Sequence, residues 1–168
     1  MAHLYIGLGA NLIPQGYSTV IAGLRGAIDQ FAAAGLTPLK IAPFYESAPV
    51  PISDQPWYVN TVVEAETALS PEEALGVLNQ FEESFGRVRT VRNAPRVLDL
   101  DIIDYEGLIQ HSAHLTLPHP RMDNRAFVLL PLRDIAPDWT HPVDGQSIAA
   151  LIDRLPADQD IRQSQQSA

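Results

Sequence analysis

Leu4, Ile6 and Leu8 alternate with Tyr5, Gly7 and Gly9, so residues 3–9 read as a strand with one apolar face, ending at the two glycines. From Tyr17 to Phe31 the period lengthens. Val20, Ile21, Leu24, Ile28 and Phe31 recur every three to four residues, the spacing of an amphipathic helix, and Gly35 stands where a left-handed cap belongs. Residues 38–46 read as a second strand, closed off by Pro49-Val50-Pro51 and the turn-rich Ser53-Asp54-Gln55-Pro56. A third strand over 57–67, rich in Val, Thr and aromatic residues, sets Tyr58, Asn60 and Val62 on one face. Ser70-Pro71-Glu72-Glu73 combines an N-cap serine, proline at the first helical position and Glu three residues after the cap. It opens a helix whose stripe is Leu75, Leu78, Phe81 and Phe85 and which Gly86 ends; Val97 to Tyr105 is the fourth strand.

The order β-α-β-β-α-β predicts an α+β fold with a ferredoxin-like βαββαβ core. Its four-stranded antiparallel sheet carries both helices on one face and leaves the other open to a ligand. After the core come a short hairpin from 108, a proline-rich loop over 116–124, and helical pieces near 126–136 and 147–154. The end from Pro156 to Ala168, rich in Gln, Ser and Asp, is expected to fray.

A chain of 168 residues with 46% hydrophobic and 18% charged residues can bury a core of its own, which fits one domain over 1–168 and argues against disorder or a coiled coil. The absence of cysteine removes disulfides, zinc knuckles, iron–sulfur clusters and thiol nucleophiles. No stretch approaches the ~18 apolar residues of a membrane span, and the N-terminus has neither a basic nor a long apolar region, so a cytoplasmic protein without a membrane partner is expected. Twenty acidic against eleven basic residues give a net charge of −9, which argues against a nucleic-acid partner, since such binding needs a basic face.

Local patterns qualify that average. In Leu98-Asp99-Leu100-Asp101-Ile102, alternation turns the aliphatic residues to the core and both carboxylates to the opposite face, roughly 6.5–7 Å apart. An isolated pair of this kind is also what a half-exposed strand shows; with a cation between them, two hard oxygen ligands suit Mg²⁺ shared with phosphates and water. Just upstream, Arg87, Arg89, Arg92 and Arg96 make residues 87–98 a +4 segment in a chain whose remainder sums to −13. Arginine suits bidentate contact with phosphate oxygens, although the same side chains could pair with Glu82 and Glu83. Leu117-Pro118-His119-Pro120-Arg121, followed by Arg125, is a second cationic piece in which His119 could donate to phosphate. His111 and His114, in a turn region without other ligands, are only a weak metal signal. Gly7-Leu8-Gly9-Ala10-Asn11-Leu12 lacks the third glycine of a dinucleotide fingerprint and reads as a tight strand exit, with Asn11 a hydrogen bonder at the open face. Tyr58 beside Asn60 suits a flat heterocycle, with the ring to stack on it and the amide to read its edge.

Taken together these blocks resemble the 6-hydroxymethyl-7,8-dihydropterin pyrophosphokinases of folate biosynthesis. The likeness runs from Tyr5 to about Trp139. It rests on Tyr5 to Leu12, Phe44-Tyr45-Glu46-Ser47, Asp54 to Asn60, Gly86 to Arg89, Arg92 to Ile103 and Leu117 to Phe127, with Ala94 to Ile103 the most specific piece. The arginine-rich loop here is one residue shorter than in some members, Asn93 stands where many members carry an aromatic residue, and Pro120 falls where some carry Tyr. The resemblance implies transfer of pyrophosphate from MgATP to the pterin hydroxymethyl group, with AMP leaving. It implies two Mg²⁺ ions on Asp99 and Asp101, and Arg87 and Arg96 stabilising the transferring group. Glu82, Arg89, Arg92, Ile102, Thr116, His119 and Arg125 would serve ATP, and Ser47, Pro49, Val50, Tyr58, Asn60 and Phe127 the pterin. A monomer is expected. A non-catalytic ferredoxin-like paralogue that binds pterin or nucleotide is the alternative reading, and a metal-dependent phosphohydrolase a third.

Overall fold

The computed structural model describes residues 1–49, 53–86 and 97–164. The chain runs β1 (Ala2–Ala10), α1 (Val20–Phe31), β2 (Thr37–Ile41), β3 (Tyr45–Ser47), β4 (Tyr58–Thr67), α2 (Pro71–Ser84) and β5 (Asp99–Tyr105), then β6 (Gln110–His111), β7 (Thr116–Leu117), α3 (Ala126–Ile135), α4 (Ile148–Asp153) and β8 (Ile161–Gln163). Local signals set the helix ends. The Thr19 hydroxyl accepts the Ala22 N–H at the start of α1, and Ser70 and Glu73 form the reciprocal capping box of α2. Gly35 closes the helical stretch after α1 at φ 95°, where a side chain would be strained.

The main sheet is antiparallel throughout, in the order β5-β1-β4-β3-β8, with β2 also paired to β4. It has six strands where the sequence suggests four. The expected strand over 38–46 is divided at Ala42-Pro43-Phe44 into β2 and β3, both on the same edge of β4. Within the end expected to fray, Ile161–Gln163 adds β8 to β3, where it finds the exposed backbone of a short edge strand to pair with; residues 165–168 lie outside the described residues.

Leu4, Ile6 and Leu8 of β1, Leu100 and Ile102 of β5, and the apolar faces of α1 and α2 form the first core. Leu4, Ile6, Leu24, Phe31 and Leu78 are excluded from solvent, each contributing about 1.5–3 kcal/mol by burial. Helices do not stay on one side, however. Val62 and Ile103 point the other way and meet Val128, Leu129 and Leu132 of α3 with Ile148 and Leu151 of α4. Two successive apolar patches in β4 and β5 need cover on both faces, and the C-terminal helices supply it.

A bulge joins this second core to the sheet. Tyr5 pairs with Asp104 and Ile6 with Ile102, leaving Ile103 without a partner in the β1–β5 ladder. The buried Asp104 carboxylate accepts the Trp139 indole N–H at 2.9 Å and the Gly107 N–H at 3.1 Å, tying the segment after α3 to the end of β5. Removing that carboxylate strands two donors, a loss of about 1–3 kcal/mol. Calorimetry of Asp104→Ala should show Tm lowered by about 5 °C or more relative to the wild type; an unchanged Tm would contradict this account of the second core.

Candidate active site

Register assembles the site. Gly9 pairs with Asp99 on one side and Asn60 on the other, and Asn60 pairs in turn with Tyr45, so Asp99, Gly9, Asn60 and Tyr45 form one row across the sheet. The next row is Asp101, Gly7 and Val62. Both glycines lie inside β1, which runs on to Ala10, and neither has a positive φ. The expectation of a tight strand exit at these positions is therefore corrected: the glycines clear a floor. A Cβ on Gly9 would sit 2.8 Å from Asn60 Nδ2, and one on Gly7 would lie 3.1 Å from Ile103 Cδ1. The part of this face nearer α3 is apolar and covered; the part over Gly9 carries the polar side chains.

Asn60 is buried, and its Oδ1 accepts the Ser47 hydroxyl at 2.8 Å. That bond assigns the amide orientation and turns the NH₂ over Gly9. Ser47 pairs with Tyr58, which is half-buried, and Pro49 is buried a few residues on. Ser47, Pro49, Tyr58 and Asn60 thus stand together at the β3–β4 side. Asn11, expected as a hydrogen bonder at the open face, is buried and donates to Gln55 Oε1 and the Pro56 carbonyl, both at 3.1 Å, holding the chain that leads into β4.

Across the floor, β5 and the segment 117–127 bring the charged groups together. The carbonyl of the bulged Ile103 accepts the His119 N–H at 2.9 Å, so the irregularity in β5 also places the histidine. His119 Nδ1 accepts the Arg121 N–H at 3.1 Å, which puts the ring proton of neutral imidazole on Nε2. Nε2 lies 3.9 Å from Asp101 Oδ1, too far for a hydrogen bond. Burial foremost, then the Arg125 and Arg121 charges, lower the His119 pKa to about 4, with Asp99 opposing. At neutral pH the ring is an uncharged donor beside Asp101. The Arg125 guanidinium lies 5.3 Å from the centre of the Phe127 ring, and burial lowers its pKa while Asp101 and Asp99 oppose the shift. Asp99, Asp101, His119 and Arg125 therefore share one electrostatic neighbourhood, with Phe127 at its edge.

Other expected positions lie differently. Glu82 is buried in α2 and accepts the Leu100 N–H at 2.9 Å, so its carboxylate anchors β5 from beneath the sheet. Ile102 is buried in the first core, which leaves its main chain for any contact with a ligand. Thr116 is half-buried in β7, paired with His111. Val50, Arg87, Arg89, Arg92 and Arg96 fall outside the described residues. Among the described residues no group of three or more His, Cys, Asp or Glu side chains is placed to hold a metal. The two β5 carboxylates thus fit only an ion that completes its shell with water and substrate oxygens, as Mg²⁺ does.

The fold and this site define a class: antiparallel α/β proteins that set an acidic pair and cationic donors beside a glycine floor walled by an amide and aromatic rings. A family model described as 7,8-dihydro-6-hydroxymethylpterin-pyrophosphokinase matches residues 5–137, and the chain belongs to that family of ATP-dependent diphosphotransferases. It is 41% identical over 151 residues to a 2-amino-4-hydroxy-6-hydroxymethyldihydropteridine pyrophosphokinase of Synechocystis, covering 89% of this chain and 74% of that one. It is 36% identical to the protein of the same name in Methylorubrum extorquens, covering 92% and 94%. It is also 40% identical to the folic acid synthesis protein fol1 of Pneumocystis carinii over 95% of its own length, but spans only 21% of that larger protein. A crystal structure of Plasmodium falciparum HPPK-DHPS superposes with a TM-score of 0.71 at 13% identity, over 91% of this chain and 44% of that one, which supports the fold. No helix among the described residues is long and apolar enough to cross a membrane.

The depressed His119 pKa fixes a sign. An unfolded histidine titrates near 6.5, so between there and about 4 the unfolded chain holds the extra proton. The His119 contribution is intact above ~6.5 and is lost as pH falls through that window, up to about 3 kcal/mol. Ligand-free His119→Gln should therefore lose less stability than the wild type between pH 7 and 4, measured by thermal unfolding; equal losses would show that His119 is not the group responsible.

Proposed function

We propose that this chain transfers the terminal diphosphate of MgATP to the hydroxymethyl group of 6-hydroxymethyl-7,8-dihydropterin, a step of folate synthesis. The hydroxymethyl oxygen attacks the β-phosphorus, the bond from that phosphorus to the α,β-bridging oxygen breaks, AMP leaves with that oxygen, and the hydroxyl proton passes to solvent. The observation that carries the reading is the row Asp99–Gly9–Asn60, which puts a carboxylate and an amide on the two strands that flank a glycine.

Asn60, oriented by Ser47, reads the polar edge of the pterin over Gly9. Tyr58 and Phe127 flank the heterocycle, with Pro49 closing the slot; a part for Val50 rests on the sequence resemblance alone. A flat ring suits this place because nothing projects from Gly9 to lift it from the backbone. Asp99 and Asp101 hold two Mg²⁺ ions. Bound there, the metal neutralises phosphate oxygens and lowers the cost of bringing the hydroxyl oxygen to phosphorus.

His119 presents its Nε2 proton to a phosphate oxygen without adding charge, while Arg125 supplies the charge beside it. Arg87 and Arg96 stabilise the transferring group, and Arg89 and Arg92 grip the triphosphate, roles that rest on the sequence pattern. Glu82 serves the nucleotide indirectly by fixing Leu100 between the two aspartates. The acidic body of the protein is no obstacle, because the triphosphate arrives with its metal.

The test is AMP release from MgATP with and without the dihydropterin alcohol. Release should require pterin, and Asp99→Ala and Asp101→Ala should each lower kcat by about a hundredfold or more at unchanged Tm. AMP or phosphate release without pterin would instead mark a phosphohydrolase, and tight pterin binding with no turnover a binding paralogue.

A further inference from the structure

Helix α3 starts without a cap of its own. Arg125 is the N-cap residue, extended at φ −115° and ψ 108°, and its side chain makes no capping hydrogen bond. The missing acceptor comes from far along the chain. Gln159 Oε1 accepts the Ala126 N–H at 2.8 Å, and its Nε2 donates to the Asn124 carbonyl at 2.7 Å. One side-chain amide thus holds the main chain on both sides of Arg125. Two residues assigned to ligands hang from that short stretch, Arg125 and Phe127, with the guanidinium 5.3 Å from the ring centre.

The same segment then crosses to the opposite wall of the slot. The Asp160 carbonyl accepts the Ala48 N–H at 3.0 Å, and Ile161 pairs with Ser47. Arg162 bonds Glu46 at 2.9 Å and lies 4.7 Å over the Trp57 ring, one residue before Tyr58. Within five residues the chain fastens the α3 wall and the β3 wall to each other. The fastening segment itself, from Gln159 on, lies beyond residue 137, where the family match stops.

We propose that Gln159 is a positioning residue for the reaction: its amide fixes the Arg125–Phe127 turn, and through it the segment 159–164 sets the spacing between the two walls of the heterocycle slot. This rests on the functional reading above. Without the clamp the turn samples other orientations, and a ligand must select the competent one, so apparent affinity falls by the fraction that is competent. The saturated enzyme regains the competent orientation, and kcat changes little. A residue that merely stabilised the fold would lower Tm and leave the KM values alone.

The experiment compares the full chain with Gln159→Met, which keeps the side-chain length and removes both hydrogen bonds, and with Gln159→Glu, which keeps the acceptor alone. For Gln159→Met, KM for the dihydropterin alcohol should rise about fivefold or more with kcat within about twofold and Tm within a few degrees, and Gln159→Glu should fall between it and the wild type. Gln146→Met, which removes an amide bonded to exposed Asp144, should leave both constants unchanged. Amide hydrogen exchange at Ala126, independent of activity, should quicken about tenfold in Gln159→Met. Unchanged exchange, or an unchanged pterin KM in an active enzyme, overturns the proposal. A wild-type chain with no pterin-dependent AMP release overturns the functional reading instead, and exchange at Ala126 then still decides whether the clamp exists.

Discussion

The site depends on two side chains that are absent from the central strand. Gly7 and Gly9 lie between β4 and β5 in register with Val62 and Asn60 on one side and Asp101 and Asp99 on the other. Any larger residue at Gly9 would meet the Asn60 amide and displace it from its place over that glycine. Because strand spacing is fixed at about 4.8 Å, the two strands flanking β1 stand roughly 10 Å apart. That span suits a small planar molecule with a phosphate group arriving at its far end.

The rest of the fold keeps this strip in place. Below it, α1 and α2 pack on the aliphatic side of the same strands, and Glu82 reaches up to hold the main chain between the aspartates. Above it, α3 and α4 cover the apolar half of the face and stop short of the polar half. The bulge at Ile103 serves both: it lets Asp104 bind Trp139, and it turns a carbonyl to the His119 N–H. Tyr45 adds a tie from β3 to α3 through Asp134 at 2.5 Å, where burial and that bond push its pKa up to about 12, so it stays a neutral donor.

Where periodicity and capping chemistry act locally, the sequence told the structure well. The alternation in β1, β4 and β5 puts Leu4, Leu100 and Ile102 on one side and Asn60, Asp99 and Asp101 on the other, and the Ser70 capping box opens α2 at the expected residue. Long-range pairing was hidden. Nothing in Ile161-Arg162-Gln163 distinguishes a strand from a frayed end until the open edge of β3 is known, and no local pattern marks Gln159 as a cap for a helix 33 residues earlier. Gly7 and Gly9 read as a strand exit for a related reason: a turn glycine and a clearance glycine look alike without the neighbouring strands. Asp104 carried a usable signal, a polar residue just after a strictly alternating run, which is how a bulge shows itself in sequence.

Whether the glycine row is the pterin floor is decided by a crystal structure of the complex with the dihydropterin alcohol, Mg²⁺ and a non-hydrolysable ATP analogue. The heterocycle should lie over Gly9 within hydrogen-bond distance of Asn60, with the β-phosphate held on the side of Asp99 and Asp101. A pterin bound away from that strip, or a triphosphate that approaches neither aspartate, would contradict it.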